Sequence, residues 1–306
     1  TSRGERGRSR AAGGGAAAWK WGLFEPAGIA NSVAVLPFKN LSGDPKQDYF
    51  SDGLAEEIRA ALARNSLLKV TATTSAATFK ERTTPLPEIA KQLGVAHILD
   101  GNVRRFGETV RIGVQLINGS DGATGWSRTF EEPFSDLFEM QSRIAQTVSQ
   151  VLTAQATGAG FSQGEDRFSS SGGTSNAEAF DAYLQGFAAF DRGRVADNYL
   201  AEYAKSLPHF DRAIALDPNY AAAFAGRARY YIRVGQIKDD RSFLRRGFED
   251  AQKCIDLAPD FADGYAVKGY AWLFYKLNVS GADKYYQRAR ELGWGDVKAL
   301  MGYQGY

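Results

Sequence analysis

FDRAIALDPNY at residues 210–220 recurs in register as AQKCIDLAPDF at 251–261, with Pro218 and Pro259 lying 41 residues apart. Each copy reads as the last turns of a helix stopped by a proline, whose ring cannot continue an α-helix. Recurrence at this period is the mark of stacked supersecondary units, here of about 34 residues plus an insertion, for which the charged stretch Asp239–Arg246 is the candidate. Working outward, Phe224, Ala228 and Tyr231 follow one another about a turn apart, ahead of Gly235; Gly247, Ala251 and Cys254 do the same before Leu257. The next unit has Tyr265, Gly269 and Trp272, then Ala282, Tyr286 and Ala289. An earlier one has Gly186, then, after a long connection, Ser206, Phe210, Ala213 and Leu216. Two antiparallel helices approach closely only where small side chains face each other, while large ones fill the space between units. Residues 177–306 are therefore expected to form about three helix pairs, an all-α superhelix.

Residues 157–176, TGAGFSQGEDRFSSSGGTSN, have the Gly/Ser content of a linker and no apolar periodicity. Before them, over 31–156, strand and helix patterns alternate. Ser32–Phe38 is a short continuous apolar run, suited to a strand buried on both faces. Phe50, Leu54, Ile58 and Leu62 recur every four residues and form a helical stripe against a sheet. Leu67–Thr74 reads as a second strand. Pro87 opens a helix containing Ile89 and Leu93, and Gly94 suits its left-handed end. Val110, Ile112, Val114 and Leu116 alternate with polar or small residues, the period of a half-buried strand, with Ile98–Arg104 before it and Gly125–Phe130 after it. A last helix carries Leu137, Ile144, Val148 and Val151. The order β-α-β-α-β-β-β-α predicts an α/β layer domain with a mixed sheet.

The residues Ala34-Val-Leu-Pro-Phe38, Asn40-Leu-Ser-Gly-Asp44, Tyr49-Phe-Ser-Asp-Gly53, Leu93-Gly94 and Gly101-Asn-Val-Arg104 resemble the TolB amino-terminal-like domain, over about residues 31–155. The helical units after the linker resemble the tetratricopeptide repeat (TPR). In bacteria the two occur together downstream of a class III adenylate cyclase domain or a winged-helix DNA-binding domain. The resemblance implies a sheet-and-helix module without an established catalytic residue, followed by a TPR superhelix. Neither the cyclase nor the DNA-binding part is present in this sequence.

Composition agrees with a binding rather than a catalytic role. The 37 Lys and Arg balance 35 Asp and Glu, leaving a net charge of +2 and no field that would draw nucleic acid or an anionic membrane. One cysteine, Cys254, precludes an internal disulfide and a multi-cysteine zinc site. The two histidines, His97 and His209, have no nucleophile beside them in the sequence and read as structural. Ser66-Leu-Leu-Lys69 matches a Ser-x-x-Lys pattern without its companion motifs. Asp44, Asp48 and Asp52 are spaced to share a helical face, but acidic residues at a helix start are favoured by its dipole without any cation. No metal and no cofactor is expected. Residues 1–30, basic and then rich in Ala and Gly, read as a disordered tail or the remnant of a membrane-anchor flank. They fall short of the ~20 apolar residues of a spanning helix, and no later stretch reaches that length. With Thr1 in place of Met, a fragment or a processed form is the expectation. The compartment stays open between the cytoplasmic and periplasmic sides of a membrane-anchored bacterial protein.

Function then rests on shape. First helices of stacked pairs line a concave groove, and in the register above Tyr183, Phe187, Arg229, Arg233, Tyr270 and Phe274 face it, aromatic anchors among arginines suited to a protein or peptide partner. MGYQGY at 301–306 is expected to begin a further helix, and an uncapped stack would favour self-association. The leading expectation is a non-enzymatic interaction scaffold of a bacterial signalling protein. The alternatives are a regulatory fragment of an adenylate cyclase or transcriptional regulator whose effector lies elsewhere, and a small-ligand sensor in which Arg104 and Arg111 bind an anion on the sheet.

Overall fold

The computed structural model describes residues 29–65, 67–71, 73–81, 83–157 and 172–292. The tail, most of the linker stretch and MGYQGY lie outside the described residues. Among the described residues the first element is β1 (Ile29–Val35); its Val33 and Val35 belong to one apolar cluster, while its Ala34 and the following Leu36 belong to another. Burial on both faces is what its unbroken apolar run requires. After the two-residue β2 (Lys39–Asn40), Asn40 organises the turn. Its amide donates to the Asp44 carbonyl and to Asp48 Oδ1, both at 2.8 Å, while its Oδ1 accepts from the Ser42 N–H at 2.9 Å.

Helix α1 (Asp48–Ala63) follows, then β3 (Lys69–Val70), α2 (Thr73–Ala77) and α3 (Leu86–Leu93). Gly94 closes α3 at φ +66°, the left-handed conformation that a residue without Cβ adopts freely. The expected strand over Leu67–Thr74 shrinks to Lys69–Val70, because Thr73–Ala77 winds into α2. Strands β4 (Val95–Phe106), β5 (Thr109–Asn118) and β6 (Thr124–Pro133) form an antiparallel meander, and α4 (Leu137–Thr157) completes the unit. The sheet order is β3-β1-β4-β5-β6, with β2 also on β4. β1 pairs in parallel with β3 and β4, so the sheet is mixed, as expected. α1 and α4 cover one face; α2 and α3 cover only the β1/β4 end of the other.

Three antiparallel helix pairs come next: α5 (Ala177–Gly193) with α6 (Tyr199–Leu216), α7 (Ala221–Lys238) with α8 (Arg241–Leu257), and α9 (Ala262–Ala271) with α10 (Val279–Glu291). A π-helical turn, Trp272–Lys276, extends α9. The small positions read from the sequence are the buried ones: Ala213, Ala228, Ala251, Cys254, Ala282 and Ala289 are all almost wholly shielded from solvent. The Asp239–Arg246 stretch joins α7 to α8 without a long loop. Asp239 caps α7 in a left-handed conformation, Asp240 caps α8 by accepting from the Ser242 N–H at 2.8 Å, and the extra residues lengthen both helices. The last part of the linker stretch is likewise fixed: the Gly172 carbonyl accepts from the Ala222 N–H at 2.9 Å, and Asn176 caps α5.

The two units share one core. Phe50, Leu54 and Ile58 of α1 lie in the same buried cluster as Leu99, Val103 and Ile112 of the sheet and as Phe180, Tyr183, Leu184, Phe210 and Tyr220 of the helical unit.

Candidate functional site

The first helices α5, α7 and α9 carry the six residues expected to line a groove, and the structure gives each an internal partner. Tyr183 is only 5% exposed, with its ring 5.3 Å from that of Tyr220 and 6.2 Å from that of Phe187. It is covered, with helix α1 lying across it. Glu57 of α1 stands beside Tyr183, and Phe187 is partly buried against the same cluster. Arg229 forms an ion pair with Asp263 of the next unit, both side chains about one-fifth exposed (18% and 20%). Arg233 reaches the Tyr203 hydroxyl at 3.4 Å, a weak contact. The Tyr270 hydroxyl donates to Gln236 at 3.1 Å, and Phe274 sets its ring edge-on to Tyr270 at 4.9 Å. Arg229, Arg233 and Gln236 thus share one face of α7, and Asp263, Tyr270 and Phe274 continue that face on α9.

The residues that sequence reasoning missed are on α1 and opposite it. The Tyr49 hydroxyl donates to Asp181 Oδ1 at 2.7 Å, and the Gln185 amide donates to Asp181 Oδ2 at 2.7 Å. The Arg105 guanidinium approaches the same carboxylate at 3.4 Å while lying 3.7 Å from the centre of the Phe134 ring. One turn on, Gly53 leaves room for Leu184; a Cβ there would sit 2.6 Å from Leu184 Cδ2. Another turn on is Glu57, beside Tyr183. Tyr49, Gly53 and Glu57 form a second stripe on α1, one residue out of phase with the apolar stripe that faces the sheet. Its spacing is visible in the sequence, but a Tyr-Gly-Glu stripe reads as an ordinary wet face. Burial acts on these groups. It pushes the Glu57 carboxyl up to about 7, and it raises the Tyr49 hydroxyl further above its usual range, with help from the Asp181 charge.

The proposed anion pair is placed on the uncovered face of the sheet. Arg104 and Arg111 stand directly opposite one another on β4 and β5. Like charges so placed repel. Here Arg111 is answered by Glu131 on β6 at 2.6 Å, and Arg104 Nε donates to the Leu41 carbonyl at 3.1 Å. The acidic trio is also dispersed: Asp44 caps a short 3-10 turn, Asp48 accepts from Asn40 and Asp52 pairs with Lys80 at 2.5 Å. Among the described residues, no cluster of His, Cys, Asp and Glu is arranged to hold a metal ion, and no helix is long and apolar enough to cross a membrane. Cys254 is buried, and burial raises its thiol above the usual range.

No protein-family profile matches the chain. Over 195 residues it is 34% identical to "Putative adenylate cyclase 3" of Rhizobium meliloti (strain 1021), covering 63% of this chain and 31% of that protein. Over 75 residues it is 35% identical to Hsp70-Hsp90 organizing protein 3 of Arabidopsis thaliana, covering 24% of this chain and 12% of that protein. Among solved structures, a lipoprotein from Neisseria meningitidis aligns over 40% of this chain and 96% of its own, at 21% identity and a TM-score of 0.31. TolB from Acinetobacter baumannii aligns over 42% of this chain and 28% of its own, at 15% identity and a TM-score of 0.29. The chain thus spans less than a third of the length of either curated relative.

Proposed function

We propose that this chain is a non-enzymatic interaction and regulatory module of a bacterial signalling protein, a TolB-like α/β unit fused to three TPR-type helix pairs that hold a protein partner. The observation that carries this reading is the shared face of α7 and α9, where Arg233, Gln236, Tyr270 and Phe274 follow one another across adjacent helix pairs. Such a face offers aromatic anchors and a cation to a polypeptide, and its support is the stacked-pair geometry itself. The similarity to a named adenylate cyclase favours a regulatory place beside an effector domain over a free-standing adaptor. The buried Cys254 thiol, raised above its usual range, favours binding over catalysis.

The test is affinity capture from a bacterial lysate with the full chain, followed by titration of the purified partner. Saturable binding that weakens at least tenfold in Arg233→Glu/Phe274→Ala, with the melting temperature kept, is the expected result. Absence of any saturable partner sinks the reading. The anion-sensor alternative loses ground to the Glu131 and Leu41 contacts. Inorganic phosphate is expected to leave the melting temperature unchanged; a rise abolished by Arg104→Ala would reverse that conclusion.

A further inference from the structure

The groove surface of the first helix pair already has an occupant. Helix α1 lays Tyr49, Gly53 and Glu57 along α5, where they meet Asp181, Leu184 and Tyr183 in turn. Arg64, at the end of α1, lies close enough to Asp260, just before α9, to feel its charge. Tyr220, which precedes α7, shares the cluster. Helix α1 therefore lies along α5, held by a hydroxyl–carboxylate bond at Tyr49 and Asp181 and by apolar contact at Gly53, with Glu57 beside Tyr183. This is a helix-in-groove contact made within one chain.

We propose that α1 is an intramolecular latch: its polar stripe occupies the concave face of α5 as a protein partner would, and a partner helix reaches that face only when α5 parts from α1, whose apolar stripe stays on the sheet. The proposal rests on reading the helix pairs as a partner-binding groove. It also narrows the partner class. The displacing segment is an amphipathic helix rather than an extended peptide, with a small residue at the α5 crossing point, a hydroxyl donor one turn before it and a carboxylate one turn after it. The six residues expected from sequence to hold a partner divide accordingly. Tyr183 and Phe187 lie under the latch and Arg229 beside it, through Asp263, whereas Arg233, Tyr270 and Phe274 make their contacts within the helical unit.

The experiment uses the full chain and a fluorescein-labelled synthetic peptide of residues 44–65. Tyr49→Phe/Glu57→Ala loosens the latch from the α1 side and leaves the α5 surface that the peptide uses unchanged. Gly53→Cys/Leu184→Cys allows it to be stapled by oxidation, with the buried Cys254 out of reach. The loosened chain is expected to bind the peptide at least tenfold more tightly than the wild type. The stapled chain should refuse it until reduced, and a peptide carrying Gly53→Leu should fail throughout. A folded loosened chain that binds no better than the wild type overturns the latch, and so does a stapled chain that binds as well as its reduced form. If the loosened variant does not fold, the stapled and reduced pair decides. The two readings fail separately. A purified protein partner bound equally by stapled and reduced chains removes the latch and keeps the groove. Gated peptide binding without any protein partner keeps the latch and removes partner capture.

Discussion

Glu57 is a carboxyl group in a place poor in water, faced by Tyr183 from α5 and Asp263 from α9, with Glu56 and Arg64 on its own element. Its folded-state value of about 7 lies above the ordinary 4.5, mainly through burial. The unfolded chain therefore loses this proton first as pH rises. Between about 4.5 and 7 the folded state holds more protons than the unfolded one, so stability from this group falls across that window and stays low above it. Glu57→Gln is expected to flatten the decline and to raise stability at pH 8 by on the order of 1–2 kcal/mol, after allowance for its partly wet position. Urea titrations of wild type and variant at pH 5 and pH 8 check this. A variant whose loss between the two pH values equals that of the wild type would contradict it.

At the scale of the element, Arg227 joins three helices. Its Nε and Nη2 donate to the two Asp250 oxygens of α8 at 2.7 and 2.8 Å, and its Nη1 donates to Asp211 of α6 at 2.8 Å. Removing it leaves a largely buried Asp250 without its partner, a change that costs roughly 3–5 kcal/mol for a fully buried pair and less here because Asp211 stays wet. Arg227→Ala should lower the urea midpoint clearly. Arg227→Lys should recover little, since an ammonium cannot span two carboxylates as a planar guanidinium does. Elements of this kind were legible in sequence wherever period and chemistry agreed. The alternation through Val110–Leu116 gave β5, and Gly247, Ala251 and Cys254 gave the packed face of α8. The Asp239–Arg246 stretch was legible as the place where the period lengthens, but not as two caps: Asp239 ends α7 and Asp240 starts α8. The latch was not legible at all. Tyr49 and Asp181 are 132 residues apart, and no local pattern announces that a polar stripe will meet another helix.

For the whole molecule, the cluster running from Val33 to Ala223 means that the α/β unit and the first helix pair should melt together. A single unfolding transition is expected, coincident by far-ultraviolet circular dichroism and by tryptophan fluorescence, with Trp126 reporting from the sheet and Trp272 from the last helix pair. Two resolved transitions would show that the shared core does not couple them. The double duty of α1 also bears on how the sequence is free to drift. A surface helix ordinarily keeps half its circumference open to neutral change. Here Phe50, Leu54, Ile58 and Leu62 answer to the sheet, and Tyr49, Gly53 and Glu57 answer to α5. In a saturation mutagenesis survey, α1 should tolerate as few replacements as the central strand β4, and substitutions in its polar stripe should be rescued by second changes more than 120 positions downstream, at Asp181, Tyr183 and Leu184.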